Sequence, residues 1–313
     1  MKPTLKQLRP VNPLLSNMLL AYMQDSSMFA ARQIAVAVDV QEPSGTYFTL
    51  PPKYMLKSQL EPRAYGDTFA RGGYEWGSDT YSTVQWGLEH EIPVEHEAAS
   101  QTPVSLMEAG LRWLASQSNI RFEAEFAANY MKAGVWTTED NNSATDWDDS
   151  SGTPITNIQS AKLAIRQLTG RDPNAMIMGD VVYTALLTNA QVSGALQYST
   201  ALTMTTRQQL LAQVLGLDTL AVSRAVQNVA NLGQDADIDP IIDDDALLVI
   251  ASPGTDMFGL SAIKNFTWEP GGGMGQVSTY YSDERRANVL QHIEQWDTKL
   301  ISPDAGAIWL DIV

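Results

Sequence analysis

The pattern of hydrophobic and polar positions gives the first half of the chain two contrasting parts. Residues 43–92 are polar and rich in Gly and Tyr, with too few apolar side chains for a core of their own. They lead into an amphipathic stretch at about 103–132, where apolar side chains recur at helical spacing. A helix of that length would span roughly 45 Å, with an apolar face longer than a compact fold uses fully. This combination predicts a subunit that completes its packing against copies of itself, rather than a self-contained enzyme.

The residues before the long helix are predicted to form an arm and a loop. Pro13 opens a short amphipathic helix within an N-terminal arm at 1–42, and a strand is predicted at 34–40. The polar part at 43–92 is predicted to be an extended loop, largely a long two-stranded arm. Its last strand, at 82–91, alternates apolar and polar side chains. A two-stranded arm is marginal alone in water, so we expect it to lie on a neighbouring subunit.

The long helix has clear start and stop signals. Thr102 is a suitable N-cap, Pro103 suits the first helical position, and Gly134 follows the last turn. Ser118 interrupts the apolar stripe. The other members of the stripe are Val104, Met107, Leu111, Leu114, Phe122, Phe126 and Tyr130.

A polar stretch at 137–153 is interpreted as a linker between subdomains, and an α/β pattern follows it. The predicted helices are at 157–168, 180–187 and 206–215, and the predicted strands among them are at 175–178, 220–222 and 246–251. After residue 257 the pattern returns to strands, at 264–269, 277–282, 289–296 and 307–313, with a hairpin turn at 271–273. We therefore expect an α+β fold of two or three subdomains.

The composition limits the classes of function. The 313 residues have a formal net charge of −16, from 36 Asp and Glu against 20 Lys and Arg. Such a surface repels phosphate and disfavours broad binding to nucleic acid, although an acidic excess also serves solubility. The chain has no cysteine, which excludes disulfides, thiolate metal sites and cysteine nucleophiles. With no signal peptide and no stretch near the ~20 apolar residues of a membrane span, we expect a soluble protein.

One segment has the residue types of a metal site without the usual spacing. Between Glu89 and Glu97, two Glu-His-Glu triplets place His90 and His96 six residues apart, with Pro93 between them. A helical zinc site needs histidines four residues apart on one face, and Pro93 prevents a continuous helix. The preferred interpretation is a polar strand end and turn. A metal-dependent hydrolase that uses His90, His96 and nearby carboxylates stays an alternative.

The remaining clusters also favour structural interpretations. The acidic run at 235–245 lacks the glycine and terminal glutamate of a calcium loop. The glycines at 271–275 precede a strand, where a phosphate-binding loop needs a helix. His292 lies alone in a strand-like segment. We therefore predict no catalytic, cofactor-binding or metal-binding residues and no cofactor.

One charged turn is a candidate for contacts between subunits. Asp283, Glu284, Arg285 and Arg286 lie between two predicted strands. In an assembling protein these side chains can form ion pairs with a neighbour, whereas a solvated turn is the alternative. An exposed ion pair of this kind contributes about 0–1 kcal/mol.

The order of these parts resembles the major capsid proteins of tailed bacteriophages, which have the HK97-type fold. The resemblance implies an N-terminal arm at 1–42, an extended β-hairpin loop at 43–92, a peripheral domain at 93–153 and 253–313 with a spine helix at 103–133, and an axial α/β domain at 154–252. The residues that carry it are Val135-Trp136-Thr137, Pro154-Ile155, Asp172-Pro173-Asn174, Phe266-Thr267-Trp268, Tyr280-Tyr281 and the charged turn.

The resemblance implies a non-enzymatic major capsid protein. Such subunits assemble as hexamers and pentamers into an icosahedral phage head that encloses double-stranded DNA. The implied partners are identical subunits, a separate scaffolding protein, a portal, a decoration protein in some members, and packaged DNA bound without sequence specificity; no membrane is involved. The implied location is the virion, with assembly in the host cytoplasm. An encapsulin-like nanocompartment shell, which shares the fold, is the alternative.

The resemblance also implies which residues meet a neighbouring subunit. The candidates in the extended loop are Tyr54, Lys57, Tyr65, Arg71, Tyr74 and Trp76. The charge candidates are Asp283, Glu284, Arg285 and Arg286.

Overall fold

Two five-stranded sheets and one long helix organise the fold. The computed structural model describes residues 13–24, 28–49, 56–73, 75, 77–99, 103–141, 146–196, 204–231, 233–252 and 259–313. The helices in this part of the chain are α1 (Pro13–Gln24), α2 (Ala31–Ile34), α3 (Val94–Ala99), α4 (Pro103–Tyr130), α5 (Pro154–Thr169), α6 (Asp180–Thr188), α7 (Ala190–Leu196) and α8 (Met204–Leu215).

The first sheet is built around one long strand. Its members are β1 (Val36–Asp39), β4 (Val84–Pro93), β11 (Ile263–Thr267), β12 (Gln276–Ser282) and β13 (Ala287–Leu300). They follow the order β1-β11-β13-β12, and β4 also pairs with β13. A two-stranded ribbon of β2 (Ser44–Thr49) and β3 (Gly77–Ser82) precedes β4. The glycine turn at 271–273 joins β11 to β12, which both pair with β13, so the predicted hairpin between these two strands is wrong.

The second sheet holds the strands of the α/β half. Its members are β5 (Thr138–Asn141), β6 (Ala175–Gly179), β7 (Thr219–Ser223), β10 (Ala246–Val249) and β14 (Gly306–Leu310), in the order β5-β14-β10-β6-β7. The short strands β8 (Val226–Asn228) and β9 (Ile238–Pro240) form a separate ribbon. The closing strand β14 differs from the predicted domain division, because it pairs with β10 and β5 in this sheet rather than with the first.

The arm prediction needs correction at its C-terminal side. The ribbon is short, from Ser44–Thr49 and Gly77–Ser82, and residues 56–73 contain no strand. The strand predicted at 82–91 pairs along its length with β13, in the first sheet. Its Trp86 stacks on Trp296 of β13, with ring centroids 5.8 Å apart. Pairing with β13, which is distant in the sequence, therefore places in the first sheet a strand that the local pattern assigned to the arm.

The long helix occurs where it was predicted, but its apolar stripe is largely covered within one chain. Leu111, Leu114, Phe122, Phe126 and Tyr130 are all buried. Helix α1 covers one part of α4, and Phe122 meets Trp296 edge-on, with ring centroids 4.9 Å apart. The expectation that the helix face needs a neighbouring subunit is therefore wrong for this stripe, because α1, α2 and the first sheet supply the cover.

The polar stretch at 137–153 is not a loose linker in its described residues. Thr138–Asn141 forms β5, which pairs in parallel with β14. Trp147 is completely buried, and its backbone N–H donates to the carbonyl of Ile312 at 2.8 Å. The indole of Trp147 also lies 5.5 Å from that of Trp309. A polar sequence is thus ordered by the apolar strand beside it.

A buried ion pair joins the arm, the long helix and the first sheet. Arg32 of α2 lies 3.3 Å from Glu294 of β13, whose side chain is 2% exposed. Ser118 of α4 donates its hydroxyl to Glu294 at 2.7 Å and accepts a hydrogen bond from Arg32 at 3.0 Å. The Arg32 guanidinium also lies over the ring of Phe122, 4.4 Å from its centroid. Ser118, which interrupts the stripe in the sequence, is therefore a polar contact of the helix with this pair, together with Asn119, which accepts a hydrogen bond from Arg32 at 3.1 Å.

Burial and pairing act against each other on these charges. Burial lowers the pKa of Arg32 from its ordinary value. Burial also acts to raise the pKa of Glu294, but His292, the charge of Arg32 and the Ser118 hydroxyl outweigh it, and the pKa ends below its usual range. Both groups therefore stay charged near neutral pH, and each depends on the other.

We expect a double-mutant cycle to expose this dependence. Arg32→Met leaves Glu294 charged and buried, and should lower the free energy of unfolding by ~3–5 kcal/mol. Arg32→Met with Glu294→Met removes both charges and should cost less than Arg32→Met alone, as measured by urea unfolding. The exposed pair of Arg112 and Glu108 is the control, and Arg112→Met should leave the unfolding midpoint nearly unchanged. A double variant as unstable as the sum of the two single variants would contradict the coupling.

Candidate inter-subunit surfaces

The segment at 56–73 presents large apolar side chains to solvent. Leu60 is 95% exposed, Tyr65 107% and Phe69 79%. Side chains this exposed bury almost none of their apolar surface within the chain, so that surface is available to a partner. Arg63 lies over the ring of Phe69, 4.1 Å from its centroid, and so shields one of its faces.

The segment is flanked by a root, which we define as the paired strands β2 and β3 packed on the first sheet. Tyr47 of β2 and Tyr81 of β3 pack on Phe266 of the first sheet, with ring centroids 5.2 and 4.6 Å apart. Gly45 lies under the Tyr81 ring, and a Cβ at that position would come within 2.8 Å of the Tyr81 hydroxyl. A side chain at position 45 would therefore have to displace the Tyr81 ring.

Few contacts hold the segment beyond its root. The Gln59 side chain exchanges two hydrogen bonds with the backbone of Gly73, at 2.8 and 2.9 Å. Leu56 lies against Gly170, where a Cβ would come within 2.7 Å of a Leu56 methyl. Gly170 closes α5 in the left-handed conformation with φ of 73°. A rooted but sparsely packed segment is suited to meet a partner surface.

The candidate residues of the loop divide into two groups. Lys57, Tyr65 and Arg71 are fully exposed on the segment. The other three candidates, Tyr54, Tyr74 and Trp76, lie outside the described residues. Leu60, Arg63 and Phe69 were not among the predicted contact residues. Leu60 and Phe69 are apolar residues in a polar stretch, which is a sequence signal for an exposed contact surface.

The segment also differs in charge from the rest of the chain. Lys57, Arg63 and Arg71 outnumber Glu61 and Asp67, which leaves a net charge of +1 on residues 56–73. The whole chain carries −16. An acidic surface of another copy is therefore electrostatically suited to the segment.

The charged turn pairs first within its own chain. Arg285 forms an ion pair with Glu91, and Arg286 lies 3.5 Å from Glu95. Asp283 and Glu284 are exposed at the tip of the same turn. The turn thus contacts β4 and α3, whereas the 56–73 segment contacts the end of α5, so the two candidate surfaces lie on different parts of the subunit.

The histidines named as possible metal ligands are separated by the structure. His90 lies on β4 with its ring 5.4 Å from that of Trp113, and His96 is exposed on α3. Within the described ranges, no three His, Asp or Glu side chains are grouped closely enough to hold a metal ion. No helix of the same ranges is both long and apolar enough to cross a membrane.

The acidic run contributes to folding rather than standing free of it. Asp245 accepts a hydrogen bond from the backbone N–H of Asp311 at 3.2 Å, which attaches the C-terminal end to the second sheet. Burial, together with Asp244, Asp243 and Asp311, raises the pKa of Asp245 to about 6. Burial also raises the pKa of Asp244.

This raised pKa predicts a pH-dependent stability. A carboxyl with a folded pKa of about 6 and an ordinary value of 3.8 stabilises the fold below pH ~4, and this contribution is lost as the pH rises through 6. Relative to Asp245→Asn, the wild-type free energy of unfolding should fall by about 1–2 kcal/mol between pH 4 and 7, because the group is partly exposed.

The control has a shift of opposite sign. Hydrogen bonds from Ser151 lower the pKa of Asp149, so Asp149 contributes stability that is lost as the pH falls through its folded pKa. Between pH 4 and 7 the difference in free energy of unfolding between wild type and Asp149→Asn, measured by urea unfolding, should therefore stay nearly constant, whereas the difference for Asp245→Asn should change. Equal changes for both variants would refute the assignment.

The comparisons with known proteins identify the class of fold. No model of a protein family matches the sequence. The chain is similar to a phage-related protein from Bordetella bronchiseptica, with a TM-score of 0.76, 19% identity and coverage of 98% of this chain and 99% of that one. It is also similar to a virus-like particle from Pyrococcus furiosus (TM-score 0.59, 9% identity, 95% and 98% covered) and to the mature capsid of bacteriophage PhiM1 (TM-score 0.55, 10% identity, 89% and 86% covered). The predicted α+β, HK97-type capsid fold is confirmed.

One curated relative adds a sequence match. The major capsid protein of Burkholderia phage BcepMu is 23% identical to this chain over 227 residues, which cover 71% of each protein. The curated relative is thus named a phage capsid protein, and the PhiM1 structure is that of a phage capsid.

Proposed function

We propose that this protein is the major capsid protein of a tailed phage, a structural subunit that assembles into an icosahedral head around double-stranded DNA. The observation that carries the proposal is the rooted segment at 56–73, with Leu60, Tyr65 and Phe69 exposed on a fold that phage capsids share. The relative from phage BcepMu, which is named a major capsid protein, supports the same function. The role is non-enzymatic in this proposal.

Hexamers and pentamers are the proposed assemblies. A segment that meets a different patch on the next copy makes head-to-tail contacts, which form rings when the rotation between copies closes. We assign Lys57, Tyr65 and Arg71 of the segment to the neighbour, together with Tyr54, Tyr74 and Trp76. We assign the turn Asp283–Arg286 to contacts between subunits as well, and the Arg285 and Arg286 pairs fix its shape.

The domain division and the other partners belong to the same proposal. The arm at 1–42, the loop at 43–92, the peripheral domain at 93–153 and 253–313, and the axial domain at 154–252 keep their assigned roles, except that β5 and β14 belong to the sheet of the axial domain. A separate scaffolding protein, a portal and a decoration protein are the further partners. The protein lies in the virion and assembles in the host cytoplasm. Its net negative charge keeps its affinity for packaged DNA low.

An encapsulin-like shell is the second candidate. The likeness to the virus-like particle from Pyrococcus furiosus favours it, with a higher TM-score than the PhiM1 capsid. The BcepMu relative favours the phage capsid. The genes beside this one decide between them, because terminase and portal genes indicate a phage head and a cargo-enzyme gene indicates an encapsulin.

The first test removes the exposed segment and keeps its root. Replacement of residues 56–73 by a short Gly-Ser linker leaves β2, β3 and their contacts with Phe266 in place. We expect a folded subunit with an unchanged unfolding midpoint that forms no closed shells by electron microscopy and sedimentation. Replacement of the exposed acidic hairpin residues 229–237 by the same linker is the control for loop removal, and closed shells from the 56–73 variant would refute the role of the segment.

The second test reverses charge at the turn. Asp283→Lys with Glu284→Lys adds positive charge beside Arg285 and Arg286, so contacts that need the native turn should weaken. We expect a lower yield of shells at low salt, measured by sedimentation, with secondary structure unchanged. Asp148→Lys, at another exposed site, is the control. Equal shell yields for both variants would show that the turn is only a solvated loop.

A further inference from the structure

A cavity opens at the end of the first sheet, beside the charged turn. Its volume is about 240 Å³, and it lies between the start of α4 and the ends of β4, β12 and β13. Ile92, Met107, Val289 and Leu290 give it an apolar lining, and Thr279 and Tyr281 lie on the β12 side. An apolar cavity of about 150 Å³ already holds a molecule of the size of benzene, so this one has room for aliphatic side chains.

Helix α1 is directed toward this cavity. Leu19 and Met23, in its second half, lie beside Gly275, just before β12. Ser16, near its start, accepts a hydrogen bond from the backbone N–H of Val277 at 2.9 Å. Toward its N-terminus, from Met23 to Ser16, α1 therefore runs alongside the chain from Gly275 to Val277 at the start of β12. The axis of α1, continued beyond Pro13, leads on to Thr279 and Tyr281.

The preceding residues are long enough to reach the cavity. Thr279 and Tyr281 lie two and four residues beyond Val277, which is about 7–13 Å along a strand. Residues 1–12 span up to ~40 Å when extended. They lie outside the described residues, and Leu5 and Leu8 are aliphatic side chains of suitable size.

The charges on the two sides are complementary. Residues 1–12 contain Lys2, Lys6 and Arg9 and no acidic residue. At the cavity end, the pairs of Arg285 with Glu91 and of Arg286 with Glu95 cancel in charge. Asp283 and Glu284 add two negative charges there. A segment of charge +3 is thus electrostatically suited to a rim of charge −2.

We propose that residues 1–12 dock on their own subunit, with Leu5 or Leu8 in the cavity and the basic side chains on the acidic rim. The docked segment extends the cover that α1 gives to α4 and the first sheet. It also lies against the charged turn, so its position affects which face of that turn another copy can reach. This docking does not rest on the proposed function, since it takes place within one chain.

Because the chain has no cysteine, two introduced cysteines are the only ones that can form a disulfide. In Leu8→Cys with Thr279→Cys, a docked segment brings the two sulfurs within bonding distance. Under mild oxidation of the full-length protein, we expect an intrachain disulfide, detected by mass spectrometry and by a faster band on non-reducing gels. Its rate should be unchanged on tenfold dilution and at least roughly tenfold above that of Leu8→Cys with Ser193→Cys, an exposed control site on α7.

Two outcomes would overturn the docking. A disulfide between chains whose rate falls with dilution would show that a second copy occupies the cavity, and equal rates for the two pairs would show that nothing specific does. Hydrogen exchange gives a second measurement on the protein without cysteine substitutions. Leu5→Asp with Leu8→Asp should lower the protection of residues 279–290, and unchanged protection also contradicts the proposal.

Discussion

The contact of Arg32 with Glu294 is the constraint on which the rest of the structure depends. It joins residues 262 positions apart and brings α2, α4 and β13 to one buried point. Glu123 of α4 completes the arrangement, because its carboxylate accepts the backbone N–H groups of Ala30 and Ala31 at 2.8–3.2 Å and so caps α2. Burial raises the pKa of Glu123, and these hydrogen bonds act against that rise. The arm can therefore leave the body only if several buried charges lose their partners.

That fixed arm determines what the subunit can offer to others. Because α1 and α2 cover the long helix, the stripe from Leu111 to Tyr130 is buried in the subunit's own core. The apolar surface left for other copies is elsewhere, on the segment at 56–73 with its Tyr47 and Tyr81 root. The original expectation of an unfinished helix was wrong, whereas the expectation of an exposed loop agrees with the exposure of Leu60 and Phe69. The proposed assembly would therefore use this exposed segment rather than an uncovered helix face.

The sequence predicted the elements whose signals are local. The long helix and the strands β6, β7, β10 and β12 occur within a few residues of the predicted positions, since helical period and short apolar runs are read directly from the chain. The strand β5 was missed because Thr138–Asn141 is polar, and only its pairing with β14 orders it. The partner of β4 was missed because pairing with β13 is a contact across about 200 residues. The cavity and the Arg32 pair were beyond local patterns for the same reason.

Electrostatics explains why the contacts between copies must be short-ranged and local. Each copy carries −16, so copies repel one another at distances up to the Debye length of about 8 Å at physiological salt. Electrostatic attraction between copies then has to come from segments whose local net charge is positive. The 56–73 segment, with its +1 and its exposed aromatic rings, is one of these, and residues 1–12, with +3, are another. The first lies between the strands β2 and β3, whose Tyr47 and Tyr81 pack on Phe266, and the second precedes α1 in the sequence. The acidic excess of the chain therefore suits both proposals, in which one basic segment contacts another copy and the other docks within its own copy.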